Sequence, residues 1–221
     1  SEWYRIMDKK FLTDMDNMDG VEKVHPMTST QIIIPWEPEF SDRWMREFYE
    51  TWMAHGYEED IEEYKQHPEK FYTFMTGIDE EEFDYVNSTL EEPLDKEQFM
   101  EGRTCLIYRD GLTLDLDDIR GKKVTFSQYH DHAKTYSMEI GGYVDDGYYA
   151  FMLGMAPVVL VSDAFVDRTV ADPWISRASV QYKEEYDEQT EARIMDYAEE
   201  GPHGGDLSYD FKIDNMKSIQ K

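Results

Sequence analysis

Near the N-terminus apolar side chains return every four positions, at Trp3, Met7, Phe11 and Met15, with Ile6 and Met18 beside them. That period is helical, and Gly20 stands where a C-terminal cap belongs. "VEKVHPMTSTQIIIP" then changes the rhythm: Thr28, Ser29, Thr30 and Ile32 to Ile34 read as a strand that stops at Pro35. In "SDRWMREFYETWMAHG" Ser41 is placed to cap a helix with a broad face of Trp44, Met45, Phe48, Tyr49, Trp52 and Met53, ended by Gly56. A shorter helix carrying Tyr57, Ile61 and Tyr64 follows.

From residue 71 the pattern turns to strands. "KFYTFMTGI" enters a turn, "DEEEFDYV" makes a short helical turn, and "RTCLIYR" is a brief apolar strand. "KKVTFSQY" and "KTYSMEIGGYV" alternate, with Tyr136, Met138 and Ile140 on one face against Thr135, Ser137 and Glu139. Joined by "HDHA", they predict a hairpin. "APVVLVSDAF" is continuously apolar, as in a strand buried on both faces. The last third predicts a β-α-β unit. It has a strand over 174–182, a helix over 188–200 stopped by Gly201-Pro202, and a final strand alternating Leu207, Tyr209, Phe211 and Ile213.

Charge narrows the partners. The 221 residues carry 22 Lys+Arg against 49 Asp+Glu, a formal net charge of -27. Such a surface repels nucleic acid and anionic headgroups, so no nucleic-acid partner is expected, and it favours cationic ones. An aromatic share of 14% argues for a packed core despite 32% charged residues. No run of about 18 apolar residues occurs, so nothing in the sequence is expected to cross a bilayer as a helix. "SEWYRIMDKK" lacks the apolar centre of a signal peptide, which leaves a cytosolic protein or a soluble piece of something larger.

The chemical motifs are weak. Asp14, Asp16, Asn17, Asp19 and Gly20 have the flavour of a calcium loop, but Met18 stands at the fifth position and Asp19 where glycine is needed. Asp115, Asp117 and Asp118 fail in the same way at Ile119. His130 and His132 flank Asp131 on alternate positions and could share a divalent metal, yet two ligands on a turn make only an adventitious site. The single cysteine, Cys105, excludes an internal disulfide and sits among apolar residues, as a small buried hydrophobe does. No nucleophile motif or phosphate loop appears, and with 49 acids some carboxylate pair always lies at a hydrolytic separation. No catalytic residue and no cofactor are predicted. Trp36, Trp44 and Trp52 either anchor the helical pair to the body or form a docking surface.

Four stretches carry a resemblance. "FMTGIDEEEFDYVN", "LDKEQFMEGRTCLIYRDG", "IRGKKVTF" with "YSMEIGGYVDD", and "APVVLVSDAF" resemble the extracytoplasmic, MacB-like periplasmic core domain of FtsX-like ABC-transporter permeases. The resemblance covers about 150 of the 221 residues. Thr76 replaces the usual valine before Gly77, and the helical pair at 36–70 is longer than the family pattern.

The resemblance implies an α+β fold: a membrane-proximal α/β subdomain from both chain ends (1–35 and 155–221), a helical insertion at 36–70 and an inserted β-rich subdomain at 71–154. It implies a non-enzymatic domain outside the cell membrane. The expected partners are a cytoplasmic ATPase subunit, reached through membrane spans of the parent protein, and a second permease copy. Cationic peptides or a basic protein are the expected clients. Two alternatives stay open: a free-standing acidic binding module using the tryptophans, and a carboxylate-based hydrolase.

Overall fold

The Asp8 carboxylate accepts the Phe11 N–H at 3.0 Å, which starts the first helix, α1 (Lys9–Asp16), two residues after Met7. The expected helix reaching back through Met7 is therefore shortened. The computed structural model describes residues 7–34, 54–67, 70, 72–108, 120–145, 149, 158–184, 187–202 and 207. The readings at Trp3, Ile6, 35–53, the Asp115 cluster and 208–213 lie outside the described residues. The elements after α1 are β1 (Val21–Ile33), α2 (Glu58–Gln66), β2 (Thr73–Ile78), α3 (Glu80–Ser88), α4 (Lys96–Met100), β3 (Thr104–Tyr108), β4 (Lys123–Gln128), β5 (Asp131–Val144), β6 (Val158–Ser162), α5 (Asp163–Thr169), β7 (Trp174–Tyr182) and α6 (Glu188–Glu200). Helices and a mixed sheet make this an α+β fold.

The contacts divide the chain into two units, Ser1–Thr28 with Trp174–Lys221, and Ser29–Pro173.

In the first unit, Phe11, Met15, Val21 and Val24 form a buried cluster against which Ala178, Val180, Tyr197 and Leu207 pack. Each such buried side chain contributes on the order of 1.5–3 kcal/mol relative to its exposed state. The first part of β1 pairs with β7. Links from Gly20 to Lys183, His25 to Gln181 and Met27 to Ser176 descend along one strand as they ascend the other, so the pair is antiparallel. This pairing explains why β1 begins at Val21 and not at Thr28: a partner strand holds residues whose own pattern is too irregular to announce a strand. Asn17, not Gly20, is the C-cap of α1, and Gly20 instead takes φ +89° in the turn into β1.

In the second unit the strands follow the order β2-β6-β3-β5-β4-β1, and β2 also pairs with β1, so the pairings return on themselves. β2 runs parallel to β6 (Phe74 opposite Val158, Ile78 opposite Ser162), and β3 runs parallel to β5 and antiparallel to β6. One core gathers Ile32, Met75, Cys105, Ile107, Val124, Phe126, Met138, Ile140, Val159 and Val161. Alternate residues of the same strands, Phe74, Leu106, Tyr108, Val158 and Leu160, are buried as well. β6 is thus covered on both faces, as its unbroken apolar run requires. It is followed directly by α5, whose first N–H groups are capped by Ser162, with Oγ accepting from Phe165 N at 3.1 Å.

The hairpin differs in one detail. β5 already begins at Asp131, so the turn is Tyr129-His130 and not "HDHA". Three extra residues enter β5 where Gln128 faces Asp131 and Ser127 faces Thr135, a bulge that starts the strand early. Of the residues read onto the short helix, Tyr57 stands at its N-cap and is half exposed, at 50%, while Ile61 is buried.

Candidate functional site

Seven carboxylates among the described residues of 79–101 (Asp79, Glu80, Glu82, Asp84, Glu92, Asp95 and Glu101) have structural employment. Asp79 caps α3, accepting Glu82 N–H at 2.8 Å, and Asp95 caps α4, accepting Gln98 N–H at 2.9 Å. Lys96 bridges Glu80 at 2.7 Å and Asp84 at 2.9 Å, and these hydrogen bonds hold its ammonium above the usual lysine range. Glu92 pairs with Arg120, and Glu101 with Arg103 at 2.7 Å. Glu82 is buried and accepts the Tyr149 hydroxyl at 2.6 Å. Beneath this layer Ile78, Phe83, Phe99, Cys105, Leu106 and Ile107 are all buried, with the Phe83 and Phe99 rings stacked 4.3 Å apart.

Two parallel strands deliver acids to one sheet end. Ile78 lies opposite Ser162, so Asp79 and Asp163 follow side by side. Burial raises the Asp163 carboxyl above the usual range, and the nearby charges of Asp79 and Asp167 add to the rise.

The suspected calcium loop is built into the first unit. Asp14 accepts from Lys10 at 2.8 Å and from the Tyr197 hydroxyl at 2.8 Å. The Asp19 carbonyl accepts from Thr190 Oγ1 at 3.4 Å and from Arg193 at 3.0 Å. These bonds hold α6 to the turn after α1.

At the hairpin turn, His130 Nε2 meets Gln31 Oε1 at 2.8 Å and its ring packs edge-on against Tyr129, while His132 is exposed. Among the described residues no group of three or more His, Cys, Asp or Glu side chains converges on a metal-sized space. Cys105 is fully buried, and the loss of hydration pushes its thiol far above its ordinary value, so it carries no thiolate at neutral pH. Trp36, Trp44 and Trp52 lie outside the described residues.

One surface was not singled out from the sequence. Glu58, Glu59, Glu62 and Glu63, with Gln66 and His67, line a shallow depression of about 570 Å³ along α2. Its signal was the i, i+1, i+4, i+5 spacing of carboxylates, which puts them on one helical face. Lys70 hydrogen bonds to Glu63 at 2.6 Å and holds that carboxyl below its usual range. Among the described residues no helix is long and apolar enough to cross a membrane.

No protein-family model and no curated protein matches the chain. Two solved structures are similar to it. One is the extracellular domain of the noncanonic ABC-type transporter YknZ from Gram-positive bacteria, with a TM-score of 0.43 and 13% identity, covering 85% of this chain and 81% of that one. The other is the periplasmic region of MacB from Actinobacillus actinomycetemcomitans, with a TM-score of 0.41 and 12% identity, covering 95% of this chain and 80% of that one.

Proposed function

We propose that the chain is a non-catalytic extracytoplasmic domain of an ABC-transporter permease. The observation that carries this reading is the division of the chain: residues before Ser29 and after Pro173 belong to one unit, with everything between them inserted as a second. A domain spliced between two membrane segments needs its two ends in one module, because movement of those segments then acts on a single body. In this reading a cytoplasmic ATPase drives the spans of the parent protein, and the end-built unit passes the motion outward to a substrate, a partner or a second permease copy. The structural employment of the carboxylates supports a scaffold more than a hydrolase.

The net charge of -27 and the α2 acidic face make cationic peptides or a basic protein surface the favoured clients. Saturable binding of a basic peptide at physiological salt, weakening as salt rises, is the expected result. A lack of saturable binding at that salt would remove cationic clients from the proposal.

Topology is tested in intact cells carrying the full parent protein. Thr135 is exposed on β5 and Cys105 is buried, so Thr135→Cys, in a parent protein whose cysteines outside these 221 residues are replaced by serine, places the one accessible thiol on this domain. A membrane-impermeant maleimide is expected to label it without lysis. Labelling only after lysis would overturn the extracytoplasmic placement.

A further inference from the structure

We draw no further inference here: the strongest candidate, the outer edge of β5 at Thr135 and Ser137, is a short stretch between the Arg103 contact to Glu139 and the bulge carrying Lys134, and nothing in the structure shows what covers it.

Discussion

Asn87 brackets the backbone of Leu94: its Oδ1 accepts the Leu94 N–H at 2.7 Å and its Nδ2 donates to the Leu94 carbonyl at 3.0 Å. This pins the loop between α3 and α4, and the Leu94 side chain lies over Gly141. A Cβ at Gly141 would stand 2.7 Å from Leu94 Cγ and Cδ2. Asn87→Ala is expected to cost about 1–2 kcal/mol in urea unfolding. Gly141→Ala should cost about 1–3 kcal/mol by overpacking. In a Leu94→Ala background the Gly141→Ala cost should largely vanish; an unchanged cost would place the clash elsewhere.

Cys105 should stay silent to a thiol reagent in the native protein at neutral pH and react once urea unfolds it. Its linkage to stability has a definite sign. The folded thiol titrates above the ordinary value of about 8.5, so the folded state holds the proton longer than the unfolded state. Stability from this group is complete below about pH 8.5 and falls by about 1.4 kcal/mol per pH unit above it, until the folded thiol itself ionises. Cys105→Ala removes that share of the alkaline slope. Equal slopes for the two proteins between pH 9 and pH 10.5, a range of about 1.5 units, would refute the assignment.

Gly20 and Gly56 separate backbone strain from collision. Both have positive φ, +89° and +86°, but among the described residues no atom stands within 4 Å of a Cβ at Gly56, whereas a Cβ at Gly20 would meet Thr190 Oγ1 and come within 3.0 Å of Asp187 Oδ2. Gly56→Ala is expected to cost about 1–2 kcal/mol from the left-handed backbone alone. Gly20→Ala should cost more in the same denaturant titration, and Thr190→Ala should recover part of the difference.

Asp187 caps α6, accepting from Gln189 N at 3.0 Å, Thr190 N at 3.3 Å and Thr190 Oγ1 at 2.5 Å. The Thr190 hydroxyl bond, ahead of the backbone bonds, holds its carboxyl below the ordinary range. Its stabilisation is therefore present above the unfolded value of about 3.9 and is lost as pH falls through the lower folded value. Asp187→Ala should lower the urea midpoint at pH 7, and the gap to the unsubstituted protein should narrow in strong acid.

Tyr197 is held by Asp14 in the first unit. Burial raises its phenol above the usual range, with the hydrogen bond to Asp14 and the charges of Asp14 and Asp8 adding to the rise. Ultraviolet titration of tyrosinate should show a late-ionising phenol that Tyr197→Phe removes and Asp14→Asn advances to lower pH. The Phe11 and Tyr197 rings lie 6.1 Å apart, so Tyr197→Phe keeps the packing and should cost only about 1 kcal/mol.

Local regularities were legible from the sequence because they are written in neighbouring residues. The alternation of Tyr136, Met138 and Ile140 against Thr135, Ser137 and Glu139 determined which face of β5 is covered. The unbroken apolar run of β6 announced burial on both sides, and the bounds of α6 followed from its pattern and Gly201. Cys105 was identifiable as a core residue from its flanking side chains alone.

Only the tertiary structure decided who meets whom. Nothing near Glu82 points to Tyr149, nothing near Asp14 points to Tyr197, and nothing in "VEKVHPM" says that β7 will hold it as a strand. The acidic stretch around α3 and α4 read as a surface from the sequence, but only the fold decided that Lys96, Arg120 and the helix caps take up its carboxylates. Periodicity and capping are fixed by contacts within a few residues along the chain, whereas strand partners and ion pairs depend on which distant segments the fold brings within hydrogen-bond reach.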